Sequence, residues 1–217
     1  MSYTTISAET DIKLANTIDM KDNQWWGIKT SGTVAVSFKG YDVLGTTQTT
    51  QTIKNINFFK QALVAANTGE HTAVKRGFFS DAASTGALTI ENVSFTGVKG
   101  AFDYVMHSTV TSKRTLKALG AIVADAAGAV TLTDVSVAIT GDFGLSTITG
   151  NTGTTAAACK TDLQTATTQP IIGGLIGNAQ GAVTITNGQV TGAAIKGYGP
   201  IGGLVGYLAS DRVLTVA

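Results

Sequence analysis

Cys159 is the only cysteine in the chain, so no intramolecular disulfide staples the fold. Proline is nearly absent, at 2 residues, which leaves glycine and the short polar side chains to make the corners. The two histidines, His71 and His107, stand far apart with no HExxH and no Ser-His-Asp order around them. Zinc-hydrolase and triad chemistry therefore lack their constituents, and no cofactor is expected. Charge is scarce and balanced, with 15 basic residues against 14 acidic and a formal net charge of +1. No basic stripe exists to neutralise a row of phosphates, which excludes nucleic acid as the expected partner. No apolar run approaches the roughly eighteen residues of a membrane-spanning helix, and the N-terminus has no basic segment followed by an apolar one.

What remains is a folded composition, 43% hydrophobic with 26 glycines. Thr, Gly, Ala and Val dominate over Lys and Glu, a balance that favours strands and tight corners over exposed helices. An all-β fold is the expectation.

The chain repeats itself. One phrase reads Ile53-Lys54-Asn55-Ile56, then Ile90-Glu91-Asn92-Val93, Leu132-Thr133-Asp134-Val135 and Ile185-Thr186-Asn187-Gly188. A second phrase reads Gly77-Phe78-Phe79-Ser80, Ala121-Ile122-Val123-Ala124, Gly174-Leu175-Ile176-Gly177 and Gly203-Leu204-Val205-Gly206. Small turns such as Gly128-Ala129 link the two in three copies. Short apolar strands joined by corners, in phase and with variable insertions, describe a β-solenoid. Asn55, Asn92, Asp134 and Asn187 supply Asx corners, where left-handed backbone and local bonding suit Asn and Asp. Gly174, Gly177, Gly203 and Gly206 mark corners that need positive φ or leave no room for a Cβ. A sandwich of hairpins would also use such strands, but in-phase repetition favours the stack.

The Gly-Leu-aliphatic-Gly phrases at Gly174 and Gly203 resemble the GLUG repeat of bacterial surface and secreted proteins. The stretch from Leu14 to Met20, Trp25-Trp26-Gly27-Ile28 and Phe38-Lys39-Gly40 resemble the lead-in to such repeats. The resemblance implies a right-handed parallel β-helix, an extracellular or cell-surface location, and a part in display or adhesion. It implies no catalytic residue. We expect residues 1–36 to form an N-terminal cap or lead-in packed on the solenoid and 37–217 the solenoid, with insertions around 99–116 and 142–170. Strand-like alternation up to Ala217 suggests a stack that continues further, and a leader is expected outside these residues.

Two sets of side chains are candidates for binding. Asp81, Asp125, Asn178 and Tyr207 each follow the second phrase directly and would form a column at about 4.8 Å spacing. Stacked carboxylates can bind Ca²⁺ or act as paired acids, so Asp81 and Asp125 are the metal candidates, set against the plainer reading of Asx corners. Trp25, Trp26, Tyr41 and Tyr104 can stack on sugar rings, set against Trp25 and Trp26 covering the N-terminal end of the core. The leading expectation is a non-enzymatic exported module that contacts a glycan or a host or other surface protein. A β-helical carbohydrate-active enzyme is the alternative. A third reading is an ice-binding solenoid, suggested by Thr131-Leu132-Thr133 and Thr184-Ile185-Thr186, with Leu132 and Ile185 expected to interrupt the threonine array.

Overall fold

The computed structural model describes residues 4–58, 63–64, 74–106, 116–150, 169–192 and 194–217. The predicted histidines, Cys159 and most of the two expected insertions lie outside them. Among the described residues there is no helix.

Six turns of chain stack on one another. The first holds β1 (Thr4–Ile6), β2 (Thr10–Leu14), β3 (Ile18–Asp19) and β4 (Gln24–Trp25). The second holds β5 (Ile28–Thr30), β6 (Val36–Gly40), β7 (Gln51–Lys54) and β8 (Asn57–Phe58), followed by β9 (Leu63–Val64). The third and fourth run their last strands together: β10 (Val74–Arg76), β11 (Phe79–Ala82), β12 (Leu88–Met106), then β13 (Leu116–Gly120), β14 (Val123–Ala126), β15 (Val130–Gly150). The fifth comprises β16 (Ile171–Gly173), β17 (Ile176–Ala179), β18 (Val183–Thr186), β19 (Gln189–Gly192) and β20 (Ile195–Lys196). The sixth comprises β21 (Ile201–Gly202), β22 (Val205–Leu208) and β23 (Leu214–Val216).

Three sheets result, in the orders β1-β5-β11-β14-β17-β22, β10-β13-β16-β21, and β2-β6-β12-β15-β18-β23 with the shorter strands beside the last. The strand pairs are parallel, as in β12 on β15 from Leu88↔Val130 to Met106↔Gly150. The one isolated bridge among the described residues, Tyr41 with Gln48, is antiparallel and closes an excursion off the second turn. The architecture is that of a parallel β-helix.

Alternation along each strand decides what enters the core. Ile90, Leu132 and Ile185 pair in register and are fully buried. Phe38, Phe78, Phe79 and Phe95 form an aromatic block in the second and third turns, while aliphatics and Phe143 fill the later ones. Outward positions on the same strands carry Ser94 and Ser136, whose hydroxyls bond at 2.8 Å.

Three expectations are revised. Strands β1 and β2, expected within a cap or lead-in packed on the solenoid, lie within the stack itself, because β1 pairs with β5 and β2 with β6 in the same sheets as the later turns. The expected insertions begin later, since strand continues to Met106 and Gly150. The phrase at Ile53 is also out of phase with the other three. Ile53 pairs with Phe95, whereas Ile90 pairs with Phe38, so Asn55 sits at the second corner of its turn, beside Gly97. Both corners require left-handed backbone, with φ of 59° at Asn55 and 64° at Gly97, and 53° at Asn92, 52° at Asp134 and 52° at Asn187. The same local demand selects the same residue types at two places, which is why the phrases look alike.

Candidate functional site

Crowding explains Gly174, Gly177 and Gly206 of the second phrase, while a Cβ on Gly203 would meet nothing within 4 Å. Gly174, Gly177, Gly203 and Gly206 are absent from the positive-φ glycines. A Cβ on Gly177 would lie 2.5 Å from the Ala124 carbonyl oxygen and 2.7 Å from that of Leu119. The strand of the four-stranded sheet thus folds back onto the strand that follows it, backbone against backbone. Upstream turns manage the same fold with Ala124 or Ser80 at this position.

This fold-back carries the side chains of β10 and β13 over those of β11 and β14. Asp81 pairs with Lys29 in register, and Asp125 with Asn178, which pairs with Tyr207. The predicted column therefore exists. Its carboxylates, however, do not face each other unaided. Lys75 Nζ, arriving from β10, lies 2.8 Å from Asp81 Oδ1 and 2.8 Å from Asp125 Oδ2. Lys117 Nζ stands 3.5 Å from the same Asp125 oxygen. On its other side Asp125 Oδ1 accepts from Asn178 Nδ2 at 2.6 Å, and Asn178 Oδ1 accepts from Gln180 at 3.0 Å.

Burial works against both charges at the centre of this chain. It pulls the Lys75 ammonium down, but bonds to Asp125 and Asp81 outweigh it and leave the pKa above the ordinary lysine value. It pushes the Asp125 carboxyl up, but the bond and charge of Lys75, the charge of Lys117 and the bond from Asn178 hold it below the usual carboxylate range. A carboxylate kept ionised by an ammonium is the reverse of the raised, proton-holding acid of glycosidic cleavage. The ammonium also stands where a divalent cation would bridge the two acids. Among the described residues no group of three or more His, Cys, Asp or Glu side chains is arranged to hold a metal.

The aromatic candidates are engaged within the chain. Trp25 stacks on Phe78 with centroids 5.4 Å apart and planes 12° apart, and its indole N–H donates to the Phe78 carbonyl at 3.1 Å. Trp26 lies under the Arg76 guanidinium, 5.2 Å from its ring centroid, and Arg76 is itself buried. The Tyr41 ring takes the Lys13 ammonium at 4.6 Å. Tyr104 lies on β12, with its side chain outside the described residues.

On the third sheet, Thr89, Thr131, Thr184 and Thr215 align in one outward column, and Thr133 pairs with Thr186 in the next. Leu132 and Ile185 point into the core between them, so they do not break the array, contrary to the expectation.

Sequence reasoning found the acid column and missed Lys75 and Lys117. The signal was present: each lysine lies a few residues before a copy of the second phrase, and each aspartate directly after one. Only the fold-back brings the two together. No helix among the described residues is long and apolar enough to cross a membrane. No family model, no curated protein and no solved structure matches the chain.

Proposed function

We propose that the chain is a non-catalytic module of an exported bacterial surface protein, of the GLUG kind, in which the β-helix presents irregular segments to a glycan or to another surface protein. One observation carries this reading. The segments that link successive turns follow β9, β12, β15 and β20 and precede β10, β13, β16 and β21, and each of these sets of strands is stacked. Links of different length, 65–73, 107–115, 151–170 and 197–200, therefore join the same two sheets in successive turns. A rigid framework with variable excursions on one flank is a common way to place binding residues. The ion-paired column supports a framework role: it joins β10, β11, β14 and β17 and has its charges neutralised internally.

A screen of the 217-residue chain against a broad glycan array and a panel of bacterial and host surface proteins tests the reading. Saturable binding to a member of either set is the expected result, and no binding across both sets overturns it.

The threonine columns favour a second reading, ice binding, since they give an ordered set of hydroxyls and methyls on a parallel sheet. Thermal hysteresis that Thr131→Lys abolishes would support it; no hysteresis in the unmodified chain removes it.

A further inference from the structure

Asn187-Gly188 is the one Asn-Gly pair in the sequence. Asparagine is thermolabile, and most so before glycine. The glycine backbone nitrogen attacks the side-chain amide carbon, ammonia leaves, and water opens the cyclic imide to aspartate or, more often, to isoaspartate. The fold places this pair at the corner between β18 and β19, with the Asn187 side chain exposed. Local packing fixes both residues: Asn187 takes φ of 52°, and a Cβ on Gly188 would lie 2.2 Å from Ile185 Cγ2. Asn55 and Asn92 hold the same left-handed backbone but precede Ile56 and Val93, whose branched side chains hinder the attack. Of the left-handed asparagines among the described residues, Asn187 alone is followed by an unhindered nitrogen.

We propose that Asn187-Gly188 is a latent self-modification site, silent in the folded stack and triggered when the fifth turn opens. For a residue other than glycine, positive φ comes with ψ of about +47°, which turns the next peptide nitrogen away from the side chain. Gly188 N therefore reaches Asn187 Cγ only after a large rotation about ψ. Strand pairing opposes that rotation on both sides, because Thr186 is in register with Thr133 and Gln189 with Ser136. The amide itself is also held, since Asn187 Nδ2 donates to Asp134 Oδ1 at 2.9 Å. Ring closure thus waits for β19 to leave β15. Local opening is ordinarily reversible, but here it leaves a permanent mark. Isoaspartate adds a carbon to the backbone between two paired strands, and aspartate sets a second carboxylate against that of Asp134. The step needs no reactant except water, and it is independent of the proposed binding role.

The test ages the 217-residue chain at mildly alkaline pH, folded in buffer and, at the same temperature, unfolded in guanidinium chloride. Peptide mapping with isoaspartyl methyltransferase labelling follows each asparagine. Asn187 should deamidate first in the unfolded chain, and folding should slow it about tenfold or more. After dilution from denaturant, the fraction modified at Asn187 should melt below the fresh chain. Asn187→Gly keeps the left-handed backbone and carries no amide, so the variant should return to its own starting melting temperature after the same ageing. Equal rates in the folded and unfolded chains overturn the proposal, as does an Asn187 that stays intact in both. So does a modified fraction that melts with the fresh chain, or an Asn187→Gly chain that loses as much on ageing.

Discussion

Lys75 Nζ lies 2.8 Å from Asp125 Oδ2, on the next turn of the stack. The same ammonium holds Asp81 of its own turn at 2.8 Å, so one cation offsets two carboxylates that strand stacking would otherwise place side by side. Removing it takes away the cation between the two acids and leaves Asp125 only the more distant Lys117 and the bond from Asn178.

Lys75→Met should therefore destabilise the chain by about 2–3 kcal/mol. Breaking a buried pair costs about 3–5 kcal/mol, and the value is reduced here because Lys75 and Asp81 keep side-chain exposures of 22% and 23%. Thermal unfolding followed by circular dichroism should show a drop of roughly 5–10 °C. Millimolar Ca²⁺ should restore part of that loss in the variant and leave the unmodified chain unchanged, because only the variant has room for a cation between the acids. A variant as stable as the parent would contradict the bridging role.

The pH dependence follows from the same cluster. The Asp125 carboxyl is depressed below its unfolded value of about 3.9, so its contribution is full above that value and is lost as pH falls through the lower, folded one. The Lys75 ammonium is raised, so its contribution is full below the unfolded lysine value of about 10.4 and is lost only as pH rises beyond it. Urea unfolding should give a plateau between these limits. Asp125→Asn should lower the plateau and flatten its acid side; an unchanged acid limb would assign the loss to other groups.

Backbone conformation sets the next expectation. Asn187 holds φ of 52° and donates to Asp134 Oδ1 at 2.9 Å. Asn187→Ala forces a Cβ into left-handed backbone and should cost about 1–2 kcal/mol, while Asn187→Gly, which loses the same side-chain bond, should cost little. Equal losses in chemical unfolding would mean that the bond, and not the backbone, fixes the residue.

Crowding separates two glycines of the same phrase. Gly177→Ala drives a methyl to 2.5 Å from the Ala124 carbonyl and should cost about 2–3 kcal/mol. Gly203→Ala has open space around it and should stay within about 0.5 kcal/mol of the parent. Similar losses at both would refute the fold-back as the reason for the phrase.

Much of the architecture was legible because a solenoid repeats its local demands. Left-handed corners select Asn92, Asp134 and Asn187, and inward positions select Ile90, Leu132 and Ile185 at matched places. The phase of the turns was not legible, since Asn55 and Asn92 obey one backbone rule at two different corners. The acid column was readable from the position directly after the second phrase. Its neutralisation was not, because Lys75 and Lys117 belong to another sheet and reach Asp125 only through a reversal of the chain. The tryptophans were expected to cover the N-terminal end of the core; Trp25 stacks on Phe78 of the third turn, a partner that spacing does not reveal.

The claim that the stack is a framework and the links carry the binding is tested most directly by replacing residues 151–168 with a short Gly-Ser link. A change in the length of a link between strands costs little, so the melting temperature should stay within about 3 °C of the parent. Binding to the glycan or surface protein that the full chain recognises should be lost. Full affinity in the shortened chain would contradict the claim and move the binding site onto the sheets.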